Sequence, residues 1–413
     1  MADNILTPSK IAGETLRILH NNSAFLGNVS MDLETEWKTA PKPGSTVSYR
    51  RPVQFTVRSG ATANLQDVNE TSGTLVVQPE IGIDWDFSEF DMKLSLEEFS
   101  KRYLMPAGMR LASELDYQIG QRYLQIANHT GTPGTLPGNA SAILNAGAVL
   151  DESACPRDGQ RYAALTPRSM ASVVNGLSGF FNDTKTTSEQ NKTGLMKTNL
   201  GMDFFLSQNL PTHTVGPLGG TPLSNGATQG IINSGATDNP YAATSTIVTD
   251  GWTAAAALRL NAGDVINFAG VFAVNPETRQ STGILRDFVV TAAVSSDAGG
   301  NASIIVSPAV IAGGSYQNVT QRVPDNSAIT VKTGAANTAY PQNMIWHKDA
   351  ISMVSFPMDV PKGMDMASQA SYDGVSLRFV RGYDILNNRR ICRFDMLYGA
   401  VVNRPEWTAR LTA

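Results

Sequence analysis

From Ser45 to Arg58 the chain reads STVSYRRPVQFTVR, and alternation puts Val47, Tyr49, Arg51, Val53, Phe55 and Val57 on one face with Ser48, Arg50, Gln54, Thr56 and Arg58 on the other. A period of two marks a strand with one apolar face. A second run, LVVQPEIGIDWDF, alternates Ile81, Ile83, Trp85 and Phe87 with Gly82, Asp84 and Asp86. With Gly60–Gly73 as the connection, the two runs read as a hairpin, and strands of about 12 to 15 residues span roughly 40–50 Å. A compact domain has no need of that length, so the hairpin is expected to reach outward.

The period then lengthens. Phe99, Tyr103, Leu104, Met109, Leu111, Leu115, Ile119, Tyr123 and Ile126 recur mostly at three or four, the spacing of a helix with one apolar stripe. Ser95 and Glu98 form a capping box at its start. Pro106 divides it, leaving 107–128 as one long helix, which ends before Gly131 and Pro133. A shorter pattern, Ile11, Thr15, Ile18 and Leu19 behind Pro8, predicts a small helix at an otherwise loose terminus. A loop, TPGTLPG, leads to another small helix, and Thr166 followed by Pro167 opens PRSMASVVNGLSGFF as N-cap and first helical position. DFFLSQNLP reads as a strand stopped by Pro211.

Composition changes at His213. Only 12 of the 130 residues from His213 to Gln342 are charged, against 16% of the chain, so this stretch reads as a separate unit. Its apolar runs TSTIVTD, DVINFAGVFAV, LRDFVVTAAV, ASIIVSPAVI and SAITVKT are short, β-rich and separated by turn signals such as NAGD and DAGGN, which predicts a small sandwich or barrel. The stretch 216–240 is poor in core residues and reads as loop. Helical and strand-like text resumes at Asn343, so the unit is inserted into another domain, and the class is α+β. In the closing strand, Cys392, Phe394, Met396 and Tyr398 alternate with Ile391, Arg393, Asp395 and Leu397, and Pro405 ends the run. Arg393 and Asp395 therefore share a surface.

Charge is segregated across the hairpin. Lys38, Lys42, Arg50, Arg51 and Arg58 come without an acid among them, then Asp67, Glu70, Glu80, Asp84, Asp86, Glu89 and Asp91 without a base. The two signs can pair across one hairpin or meet those of a neighbouring subunit. Arg393 and Asp395 pose the same choice, and the six arginines between Arg378 and Arg404 favour subunit pairing over contact with nucleic acid. Arg50, Arg51, Arg58, Asp84, Asp86, Arg393 and Asp395 are the candidate interface residues.

Little else points to chemistry. At 413 residues and 42% hydrophobic content the chain can bury its own cores. Cys155 and Cys392 have no partner at metal or redox spacing, so a reducing compartment is expected. The N-terminal residues lack the apolar core of a signal peptide, and no run approaches a membrane span, so folding in a cytoplasm is expected. The net charge of −4 rules against phosphate neutralisation as the main activity. His20, His129, His213 and His347 are scattered without ligand spacing, and no phosphate-cradling loop or nucleophile elbow occurs. Asp84 and Asp86 resemble an acid/base pair but alternate with Ile83 and Trp85 as the polar face of a strand. No catalytic residue, cofactor or metal site is expected.

The stretches SLEEFSKRYLMPAGMRLASELDYQIG, TGLMKTNLGMDFFLSQNLPTHT, NMIWHKDAISMVSFP and RRICRFDMLYGAVVNRPEW, in this order around a β-rich insert that includes GDVINFAGVFAVNP, resemble the major capsid (coat) proteins of tailed bacteriophages, especially the short-tailed-phage coat proteins with an inserted β-barrel. The resemblance implies a tailed-phage major capsid fold: an N-terminal arm (1–26), an extended β-hairpin loop (27–92), and a peripheral domain with a long spine helix (93–139, completed by 396–413). An axial domain (140–212 and 343–395) and the inserted barrel (213–342) complete it. It further implies a structural protein whose hexamers and pentamers close into an icosahedral virion shell in the host cytoplasm, with a scaffolding protein, a portal protein and packaged double-stranded DNA as partners and no membrane. No lysine–asparagine crosslink can be matched. A bacterial compartment shell of the same fold stays open as an alternative, as does a β-rich receptor- or glycan-binding module. The latter would need exposed aromatics, whereas Trp252, Phe268, Phe272 and Phe288 fall mostly within strands.

Overall fold

The computed structural model describes residues 7–32, 42–58, 60–63, 65, 72–87, 100–177, 198–231, 243–364, 366–385 and 389–413. The chain folds as two compact units, one from residues 1–49, 72–119 and 351–403, the other from 50–71, 120–350 and 404–413.

In the first unit the 14-residue strand Arg389–Val402 organises a sheet. One edge pairs antiparallel with Ile81–Phe87, and the other with Val375–Asp384 and then with Ile351–Phe356; Val375–Asp384 in turn pairs with Met366–Tyr372. Cys392, Phe394, Met396 and Tyr398 are all buried, as read, but on the opposite face only Ile391 and Arg393 reach solvent, and Asp395 and Leu397 are buried as well. The rings of Trp85 and Phe379 flank Phe394, each 5.1 Å away.

The hairpin differs from the sequence expectation. Only Thr46–Arg50 forms a strand in the first run, and it pairs with Ser72–Val76, not with Ile81–Phe87. Pro79 explains the difference: lacking an N–H, it interrupts the second run, and the residues beyond it join the larger sheet. Val47, Tyr49, Leu75 and Val77 pack with Val354, Phe356, Leu397 and Val401, so the base of the hairpin belongs to its own unit. Gly399 makes this approach possible, since a Cβ there would lie 2.3 Å from Leu75.

The N-terminal helix, Pro8–Asn22, is docked, in contrast to the loose arm expected. Its buried stripe of Ile11, Ala12, Thr15, Leu16, Ile18 and Leu19 packs against Met366–Tyr372 and Val375–Asp384. Asp116 anchors the turn that follows, accepting from Ser23 Oγ at 2.5 Å and the N–H of Ala24 at 2.9 Å. Burial pushes this carboxyl's pKa up, against the pull of those bonds.

The long helix is shorter than 107–128. An α-helix runs over Met105–Gly120, after a π-type turn at Ser100–Leu104, and tightens to 3₁₀ over Gln121–Gln125. Pro106 lies in its first turn, where a missing N–H costs no helical bond. The capping box at Ser95 and Glu98 lies outside the described residues.

In the second unit a mixed sheet runs His129–Thr130, Thr408–Thr412, Ala339–His347, Arg161–Leu165, Asp203–Leu206. Helices Ala140–Glu152 and Pro167–Leu177 cover one face, placing Ile143, Leu150, Met170 and Val173 in a core with Ala163, Leu165, Ile345 and Leu411. Asn139 and Thr166 cap these helices through side-chain bonds to the N–H groups of Ala142 (3.1 Å) and Ser169 (3.4 Å). The resemblance groups 343–395 with 140–212, and 396–413 with the spine helix. Instead, the ladder between Ile351–Phe356 and residues 397–402 keeps 351–402 in the first unit. Only the end of the chain, Thr408–Thr412, crosses to pair with Ala339–His347.

The insert forms a six-stranded, nearly closed barrel in the order Ile329–Val331, Val265–Phe268, Phe288–Val290, Ala302–Ser307, Ser245–Trp252, Gly220–Ser224. A bridge between Leu223 and Ala328 brings the last strand back to the first. Trp252, Phe268 and Phe288 are interior, as read from sequence, while Phe272 is only partly buried. Part of the supposed loop is therefore a barrel strand, Gly220–Ser224, and Gln229 and Ile231 bridge to Val323 and Ile311.

Candidate subunit interface

The strand pairing around Arg389–Val402 brings three candidate residues together. Arg393 stands opposite Asp84 in register, and Asp395 opposite Gly82 on one side and Arg378 on the other. The Arg393 guanidinium bonds Asp395, reaches Glu80 at 2.8 Å and approaches Asp84 at 3.7 Å. Arg378 donates to Asp395 through Nη2 at 2.7 Å and Nε at 3.2 Å. Gly82 leaves room for this, since a Cβ there would lie 2.4 Å from the Phe394 carbonyl and 3.0 Å from the Asp395 carboxylate.

Exposure sorts the cluster into an inner and an outer part. The Asp395 side chain is 0% exposed, Arg378 20%, Arg393 44% and Asp84 63%. Arg393 and Asp395 thus neutralise each other within one chain, and of the two only Arg393 faces outward. The bond to Asp395, reinforced by nearby Glu80 and Asp84, raises the Arg393 pKa further above its usual value. Asp86 is exposed on the same strand as Asp84. Glu80 and Arg378 were missed from sequence. Arg378 becomes a partner only through the register of two strands, which periodicity along either strand does not reveal.

Arg50, Arg51 and Arg58 are not part of this cluster; they lie at or beyond the end of Thr46–Arg50. Past that strand, Arg58 donates to the Gly60 and Thr62 carbonyls. The neighbouring apolar residues are open to solvent: Phe55 is 61% exposed, Val57 100% and Leu65 94%. Of the apolar face read as Val47, Tyr49, Arg51, Val53, Phe55 and Val57, the chain buries the first two and leaves the last two uncovered. Large apolar side chains left exposed along one stretch of chain point to burial by a partner.

A docked hairpin base, exposed apolar residues beyond it and a charge cluster with an outward-facing arginine are features of a protein built to pack against others. The model of the family described as P22 coat protein, gene protein 5, matches residues 35–411, and the chain belongs to that family. It is a structural shell protein of a phage with the tailed-phage major capsid fold, located in the virion capsid as part of an oligomeric shell. The chain is 21% identical to the major capsid protein of Acyrthosiphon pisum secondary endosymbiont phage 1 over 379 residues, which is 88% of this chain and 87% of that one. Among solved structures, one from Mycobacterium phage Che8 aligns with a TM-score of 0.46 at 14% identity, over 94% of this chain and 90% of that chain. The CUS-3 coat protein I-domain aligns with a TM-score of 0.20 at 22% identity, over 27% of this chain and 96% of that one. A bacterial compartment shell and a glycan-binding module are not favoured.

Proposed function

We propose that this chain acts by geometry, without turnover: its hexamers and pentamers close into an icosahedral shell around a scaffolding protein in the host cytoplasm, and the shell, fitted with a portal protein, takes up double-stranded DNA through weak, non-specific contacts. The observation that carries the reading is the uncovered apolar segment at Phe55, Val57 and Leu65, 61% to 100% exposed, beside the basic residues Arg50, Arg51 and Arg58. Such a surface is costly for a monomer and favourable in a closed assembly, where neighbours bury it and many modest contacts add. In this reading Arg50, Arg51 and Arg58 of one copy meet acidic residues such as Asp84 and Asp86 of another, and Arg393 joins the contact while Asp395 holds it in place. The chain's balance of charge, −4 overall, supports weak contact with DNA over tight binding.

Electron microscopy and sedimentation of the purified chain, alone and with its scaffolding protein, test the proposal. Closed shells of uniform size support it. Monomers under every condition, or open sheets that never close even with scaffold, contradict it.

A further inference from the structure

The barrel meets the sheet of the second unit through a buried polar joint. Along Thr408–Thr412, Ala409 and Leu411 face the two helices, so Thr408, Arg410 and Thr412 lie on the opposite face. Arg410 is 0% exposed. Its Nη1 donates to the Gly263 carbonyl at 2.9 Å, just before the barrel strand Val265–Phe268, and its guanidinium lies 5.5 Å from the centre of the Tyr123 ring. The Tyr123 hydroxyl bonds His213 Nδ1 at 3.2 Å, and His213 Nε2 bonds Asp264 at 2.9 Å. Asp264, 0% exposed, also accepts from Thr333 Oγ1 and from the N–H groups of Gly216 and Asn261. Asp287, at the start of another barrel strand, receives Lys332 at 2.9 Å and the His129 N–H at 3.2 Å.

Among the buried polar atoms of this joint, Nε and Nη2 of Arg410 and Nδ1 of His129 have no hydrogen-bond partner among the described residues. They belong to neighbours. Arg410 and His129 stand in register in a parallel strand pair, which puts their side chains on one face with about 4.8 Å between strands. The other imidazole nitrogen, Nε2, lies 2.6 Å from Thr412 Oγ1. Burial, with Arg410 and Lys332 close by, holds the His129 pKa well below its usual value, so the ring is neutral and one nitrogen offers a lone pair.

We propose that Arg410 and His129 form an internal binding site for one ordered water, which accepts an N–H of Arg410 and donates to His129 Nδ1. His129 is then the tautomer whose Nε2–H donates to Thr412 Oγ1. Water fits both sides because it can accept and donate, and buried waters in folded proteins bridge polar groups left unpaired in this way. A halide would satisfy the guanidinium but would face the imidazole lone pair. The barrel's seat is thereby a hydrogen-bonded joint with defined directions, which fixes its orientation on the sheet.

The test is a density map of the full chain at a resolution that shows ordered water, recorded in chloride and in chloride-free gluconate buffer. One peak within hydrogen-bond distance of both side chains in both buffers is the expected result. A peak present only in chloride, or Arg410 donating directly to His129, overturns the proposal. In solution, His129→Phe and Arg410→Met should each lower the folding equilibrium constant by roughly tenfold, and the double variant should lose less than the product of the two by roughly threefold or more. Independent losses overturn the shared site, and if a variant fails to fold the map decides.

Discussion

Asp395→Ala and Arg393→Ala remove opposite ends of one ion pair and should behave differently. Asp395 is 0% exposed and holds Arg378, 20% exposed, at 2.7 Å. Without the carboxylate, Arg378 keeps, among the described residues, the Asp359 carbonyl at 3.1 Å and Glu80 at 4.0 Å. Breaking a buried pair by removing one partner costs about 3–5 kcal/mol. Because both arginines reach solvent, about 2–3 kcal/mol is the reasonable loss here. Arg393→Ala removes a side chain that is 44% exposed, and Asp395 retains Arg378, so the monomer should lose no more than about 1 kcal/mol. Equilibrium urea unfolding of the unassembled chain measures both losses, and sedimentation measures assembly. The expected pattern is a destabilised Asp395→Ala monomer and a stable Arg393→Ala monomer that assembles poorly. Equal stability losses, or a larger one for Arg393→Ala, would refute the division into an inner anchor and an outer contact.

Phe55→Asp and Val57→Asp should change monomer stability by no more than about 0.5 kcal/mol yet reduce shell yield; circular dichroism melts and sedimentation read the two effects separately. Gly399→Ala places a methyl against Leu75 and should cost about 1–3 kcal/mol in urea unfolding, with Leu75→Ala in the same chain relieving part of the clash. Acid should weaken the second unit through His129, because its pKa is lower folded than unfolded. That contribution is present above the unfolded value near 6.5 and is lost as pH falls below it. Asp116 and Asp287, whose folded pKa values are raised by burial, act in the opposite sense. His129→Phe should therefore flatten the fall in stability below about pH 6.5, and an unchanged slope in urea titrations would remove His129 from the account.

Local patterns with a clear period were legible in the sequence. The buried face of Cys392, Phe394, Met396 and Tyr398, the capped helix Pro167–Leu177 and the barrel's Trp252, Phe268 and Phe288 stand where periodicity and capping chemistry put them. What escaped depends on pairing between distant segments. Pro79 splits one apparent strand so that Asp84 faces Arg393 and not the basic run at Arg50. Gly220–Ser224 has a strand's hydrogen bonds, yet of its five residues only Ser224 is buried, so it carries little apolar signal. The docking of Pro8–Asn22 was hidden for a similar reason, since a six-residue stripe shows that a face will be covered but not by what. At the candidate interface, Arg393 and the exposed Phe55 and Val57 were visible as residues. That Asp395 faces inward was not, because Arg378 reaches it only through strand register.

The most direct test of the central claim is a density map of the assembled shell that resolves the side chains of residues 51–65. Val57, 100% exposed in the single chain, should be covered there by a neighbouring copy, together with Phe55 and Leu65. A closed shell in which all three still face solvent would contradict the account.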